Sequence, residues 1–184
     1  MKLLRLLLAG SGLSGLALLA SSCLKAPDYS TTPEISFNNL YHAGFSNVTG
    51  RGDTIAVTVN YQDGDGDLGL TETESKQSPY AGTQFVNNYF VEPYIKVPST
   101  GQFVRLADSG RGIAAGAYNS RFQHVSSTTD KRSLPLRGTL TWGFSFYQYS
   151  PFQPGEEIRF VVTIADRATH LSNTITTSSV VLNK

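Results

Sequence analysis

Asp63, Asp65 and Asp67 set three carboxylates at every second position of the segment Asp63-Gly64-Asp65-Gly66-Asp67-Leu68-Gly69-Leu70. At that spacing, with glycines that permit a tight backbone turn, the three can converge on one hard cation, which prefers oxygen donors. Counted from Asp63, the carbonyl of Gly69 falls at position 7 and Glu74 at position 12, the places where a calcium loop takes a backbone oxygen and a closing carboxylate. The expected ligand set is therefore Asp63, Asp65, Asp67, Gly69 and Glu74, with calcium as the ion. The alternative for the same residues is a solvated acidic turn that blunts a strand end.

The spacing is that of an EF-hand loop, with two departures. Leu68 stands where the EF-hand has its invariant glycine, and a strand-like run precedes the loop in place of a helix. Other chemistry is sparse. His42, His124 and His170 are scattered, with no His-x-x-x-His pair for zinc. There is no Gly-x-Ser-x-Gly elbow and no phosphate-cradling glycine loop, and the only cysteine is Cys23. Glu72 with Glu74 imitates the carboxylate pair of a glycosidase, though paired acids in a polar loop are ordinarily just solvated. A non-catalytic protein is expected, with a glycoside hydrolase-like enzyme as one alternative. Tyr147, Tyr149 and Phe152 run past a strand among polar residues and form a candidate sugar-stacking platform, which makes a carbohydrate-binding envelope module the other alternative. Arg51-Gly52-Asp53 spells an adhesion tripeptide, but before a strand it reads as a turn.

The elements that must position these residues are strands. Mature-region residues alternate with period two in short runs rich in Val, Ile, Thr and aromatics, and no helical stripe is sustained. Ile35 and Phe37 open the first run. Ile55, Val57, Val59 and Tyr61 share one face of the second, opposite Thr54, Thr58 and Asn60. Tyr89–Val97 is the third, where Pro93 argues for an edge strand or a bulge. Phe103–Leu106 is the fourth. Leu140, Trp142, Phe144 and Phe146 make the fifth, with Trp142, Phe144 and Phe146 expected in the core. Ile158, Phe160, Val162 and Ile164 make the sixth, and Ile175–Leu182 closes the domain. About seven antiparallel strands predict an all-β, immunoglobulin-like β-sandwich with two long loops, Thr71–Asn88 and Ala107–Arg132. In that strand order Asp63–Gly69 and Asp166–Asn173 become neighbours at one end. Asp166 or Asn173 then donates an oxygen to the same ion, or Arg167 neutralises the cluster instead.

The N-terminus reads as an export signal. Lys2 and Arg5 precede an apolar stretch, Leu6–Ala20, too short and glycine-rich to span a bilayer. Leu19-Ala20-Ser21-Ser22-Cys23 resembles the bacterial lipobox, with the leucine displaced by one position. The expected division is a signal peptide over 1–22, a lipidated Cys23 and tether over 23–33, and a sandwich domain over 34–184. Loss of Lys2 and Arg5 from a chain of 15 Lys+Arg and 14 Asp+Glu leaves the mature protein at a formal charge of −1. That balance gives no footprint for nucleic acid. With a single cysteine, a core or a metal must hold the exported domain.

Ile158 through Asp166 to Asn173 resembles the closing hairpin of bacterial immunoglobulin-like domains of the polycystic-kidney-disease type. Together with Tyr61–Leu70 and the lipobox, it resembles uncharacterised envelope lipoproteins of Bacteroidota. The resemblance implies an immunoglobulin-like fold and a lipid anchor in the outer membrane, facing the periplasm or the surface; the expected partner, an envelope protein or a glycan, is read from the loops and the aromatic residues instead. It implies no activity.

Overall fold

Ile55, Val57 and Val59 alternate with Thr54, Thr58 and Asn60, and period two puts the first set into the core at 0% exposure and the second on the outer face. The computed structural model describes residues 27–125 and 134–184. The expected leader, Cys23 and the start of the tether lie outside the described residues, as do 126–132 of the second long loop and residue 133 after it.

The strands are β1 (Glu34–Asn47), β2 (Gly50–Asp63), β3 (Tyr89–Lys96), β4 (Phe103–Arg105), β5 (Leu136–Tyr147), β6 (Glu157–Ile164), β7 (Ile175–Thr176) and β8 (Val180–Val181). They form two antiparallel sheets, β1-β2-β5 and β4-β3-β6-β7, with β8 also pairing to β6. The protein is an all-β sandwich. Its order, A-B-E against C′-C-F-G in immunoglobulin lettering, arises because the chain changes sheets after β2, β4 and β5.

The eighth strand comes from splitting the expected Ile175–Leu182 run. Thr177 is buried; its N–H donates to the Phe160 carbonyl at 2.9 Å and its Oγ1 accepts from the Phe160 N–H at 3.0 Å. β1 runs well past Phe37, because a bulge between Phe37 and Asn39 flips the alternation so that Leu40 pairs with Val57 and His42 with Ile55. Pro93 does not mark a sheet edge, since β3 lies between β4 and β6. However, β4 reaches only Tyr94–Lys96, so Pro93 lies one residue beyond that short ladder.

The core lies between the sheets, with Ile55, Val57, Val59, Val91, Phe160, Val162 and Ile164 at its centre. Phe146 is buried, whereas Trp142 and Phe144 are half-buried and pack against the core. The two long loops are not detached. The first carries a helical turn at Glu72–Ser75 (α1), and the second returns along β3, where Ser120 pairs with Tyr89. From the second loop Ile113, Tyr118, Phe122 and Val125 pack on the core.

Candidate functional site

The β2 ladder ends at Asp63, opposite Leu136 on β5, and the acidic loop turns out from there. Gly66 takes φ +71°, and a Cβ there would fall 2.3 Å from the Leu134 carbonyl, so only glycine fits this turn. Asp63 holds the loop with one oxygen: its Oδ2 accepts from the Asp67 N–H at 3.1 Å. Asp67 fixes the neighbouring loop in the same way, its Oδ2 accepting from the Ala168 N–H at 3.1 Å. The second oxygens are free to do something else. Oδ1 of Asp63, of Asp65 and of Asp67 are all buried without a hydrogen-bond partner, and Asp63 as a residue is 0% exposed. The three aspartates bring one carboxylate oxygen each within 4.8 Å of one another. Two oxygens that share an ion at the calcium distance of about 2.4 Å stand at most about 4.8 Å apart, a condition that the three aspartates meet.

The electrostatics point the same way. Burial, reinforced by the charges of Asp65 and Asp67, pushes the Asp63 carboxyl up to about 7. Burial, then Asp166 and Asp65, pushes Asp67 up to about 6 against the opposing Arg167 guanidinium. An unpaired buried carboxylate is costly, and like charges add to the cost. A divalent cation would relieve both.

The two loops do meet. Leu68 and Asp166 form a bridge, the Arg167 N–H donates to the Asp67 carbonyl at 3.3 Å, and the Tyr80 hydroxyl donates to the Arg167 carbonyl at 2.7 Å. Yet the sequence-derived ligand set is not brought together whole. Glu74 serves in a capping box with Thr71 and accepts from His124 Nε2 at 2.9 Å, so position 12 of the calcium loop is spent on α1. Glu72 pairs with Lys76 on the surface, while Glu74 is engaged by Thr71 and His124. The carbonyls of Gly69 and Leu68 each accept from Arg167 Nη1 at 3.4 Å. Asp166 lies near Asp67, but its Oδ1 accepts from the His170 N–H at 2.7 Å and its Oδ2 meets His170 Nδ1 at 2.9 Å. Asn173 uses its amide on β1, exchanging two 2.8 Å hydrogen bonds with the backbone of Ile35. The site is thus an aspartate triad on one loop, buttressed by a second.

Sequence reasoning missed what covers the loop. The Gly64 N–H donates to the Ser30 carbonyl at 2.7 Å, and a Cβ on Gly64 would fall 2.2 Å from the Tyr29 carbonyl. Tyr29 and Ser30, in the segment expected to be a tether, are therefore docked onto the acidic loop. Also missed were the carboxylate partners of the three histidines: Asp53 for His42, Glu74 for His124 and Asp166 for His170. Only the last, four residues apart, left any local signal.

At the other end of the sandwich the aromatic platform is reduced. Phe152 is fully buried, with its ring 4.8 Å from Phe146, so it belongs to the core. Tyr147 and Tyr149 are exposed, 44% and 72%. Arg51-Gly52-Asp53 presents only its arginine, because Asp53 is buried against His42 at 2.7 Å and Asn183 Nδ2 at 2.6 Å. No protein-family model, curated protein or solved structure matches this chain.

Proposed function

We propose that this chain is an exported, lipid-anchored and non-catalytic envelope protein, whose immunoglobulin-like sandwich binds a calcium-class cation at its anchor-side end and presents the opposite end to a partner. The observation that carries the cation reading is the triad of buried, unpartnered Oδ1 atoms on Asp63, Asp65 and Asp67. An all-oxygen, three-carboxylate set favours a hard divalent ion over zinc or copper. The anchor rests on the sequence reading of Cys23 and on the docking of Tyr29 and Ser30 beside Gly64. Six residue steps separate Cys23 from Tyr29, about 20 Å when fully extended, so a lipidated Cys23 holds the acidic loop close to the membrane.

Thermal melting of the mature chain, with calcium and with chelator, tests the cation. Calcium at a hundredfold excess over Kd is expected to add about 2.7 kcal/mol, and Asp65→Asn to abolish most of that gain. An unchanged melting temperature would reject the cation site. Fractionation of Cys23→Ser tests the anchor separately: the exported protein should leave the membrane, and retention after a carbonate wash would reject lipidation.

A further inference from the structure

The end of the sandwich opposite the acidic loop carries two adjoining concavities of about 310 and 320 Å3 that meet at Arg51, Gln148 and Lys184. Tyr147 and Tyr149 line the first, and its volume lies at the small end of the range for ligand sites, roughly 300–1,000 Å3. No Asp or Glu side chain lines either concavity. Among the described residues neither Arg51 nor Lys184 has an ion-pair partner. Asp53, the nearest acid in sequence, is buried and turned to His42 and Asn183.

The rings are held outward by the fold. Tyr149 sits at φ +75°, a conformation that disfavours any residue but glycine, while its N–H is fixed to the Phe152 carbonyl at 2.9 Å. Strain of this sort at an exposed aromatic gathers at binding sites. Tyr147 is propped edge-on by Phe45, with ring centroids 5.6 Å apart at 77°. The Gln148 N–H donates to the Arg51 carbonyl at 3.0 Å, which locks the strand end to the hairpin.

We infer that this cleft binds an acidic saccharide, a uronate-containing glycan, and so defines the partner that the anchored domain presents itself to. Tyrosine faces suit the C–H face of a pyranose, and the planar guanidinium of Arg51 matches a carboxylate in a two-pronged fork. The unpaired guanidinium of Arg51 selects for a negative charge, which a neutral glycan lacks. The near-neutral balance of the mature chain gives no electrostatic footprint that favours a nucleic acid.

Calorimetric titration of the mature chain in EGTA tests the cleft without calcium bridging, so the result is independent of the cation site. Oligogalacturonate should bind at least tenfold more tightly than a neutral cello-oligosaccharide or an oligoglutamate. Arg51→Ala and Tyr149→Gly should each weaken it at least tenfold. Tyr149→Gly should leave the melting temperature unchanged or raised, since glycine fits that backbone, which separates binding from folding. Absence of oligogalacturonate binding, equal binding of the neutral sugar or of oligoglutamate, or binding indifferent to both substitutions would overturn the proposal.

Discussion

Asp63 uses the two oxygens of its carboxylate differently: Oδ2 closes the turn, and Oδ1 is buried without a hydrogen-bond partner. Its carboxyl, pushed up to about 7 by burial and by Asp65 and Asp67, makes the ion-free domain sensitive to pH. Between about pH 4, where an ordinary aspartate ionises, and pH 7, the folded protein keeps a proton that the unfolded chain has released. Folding therefore binds protons across that window, and ion-free stability falls as pH rises through it and levels off above. Melting in EGTA should show the domain more stable at pH 5 than at pH 8, and Asp63→Asn should flatten the slope. A cation competes with that proton, so the calcium-induced rise in melting temperature should widen from pH 5 to pH 8. An ion-free profile that climbs toward pH 8 would contradict the burial of these acids. The triad was legible because Asp-Gly-Asp-Gly-Asp puts the three carboxylates in one short segment. The supporting loop was legible as well, because the strand order of a sandwich brings Asp166–Asn173 to the same end and singles out Arg167; Ser30 was not, because it comes from a stretch that reads as linker.

Among the elements, β2 and β6 were readable because each buries one face and alternates without interruption. β1 was readable only to Phe37. The bulge before Asn39 changes the parity, so Leu40 and His42 continue the inner face on even numbers while Ile35 and Phe37 began it on odd ones. A period-two reading carried across that point puts the inward residues on the wrong side. Phe152 was misplaced for a related reason: its neighbours Ser150, Pro151, Gln153 and Pro154 look like a solvent loop, yet the segment folds back and sets the ring against Phe146, Phe144 and Tyr118. Phe152→Ala should cost about 3–5 kcal/mol in chemical denaturation, as for a fully buried aromatic. Tyr147→Ala, on an exposed ring, should stay near 1 kcal/mol or below. Similar losses for both would place Phe152 outside the core.

In the whole molecule the acidic loop and the exposed tyrosines lie at opposite ends of the long β1–β2 hairpin. β1 enters beside the acidic loop and reaches the far tip at Asn47, and β2 returns, a length of about 45 Å at roughly 3.3 Å per residue. The contact between Ser30 and Gly64 fixes from which end of the sandwich the N-terminal segment leaves. Gly64→Val should expel Tyr29 and Ser30 from the loop and expose residues 27–33 to protease, while the sandwich core survives. N-terminal trimming read by mass spectrometry, at equal far-ultraviolet circular dichroism, checks this. A trimming rate equal to that of the parent would show that the Ser30–Gly64 contact does not hold the segment.

The two-way amide clamp of Asn173 on Ile35 has a mechanical meaning. Were the chain held at its N-terminus and loaded at the tip, tension would enter at Ser30, pass Ile35 and run up the covalent backbone of β1 to Asn47 and Arg51. The ladder between β1 and β2 would carry little of that load, because both ends of the force path lie on the same piece of chain. The clamp pins β1 to the β6–β7 loop where the pull first arrives, and so resists peeling of β1 from the domain at its base. Such a protein would transmit a steady drag from tip to membrane without unravelling.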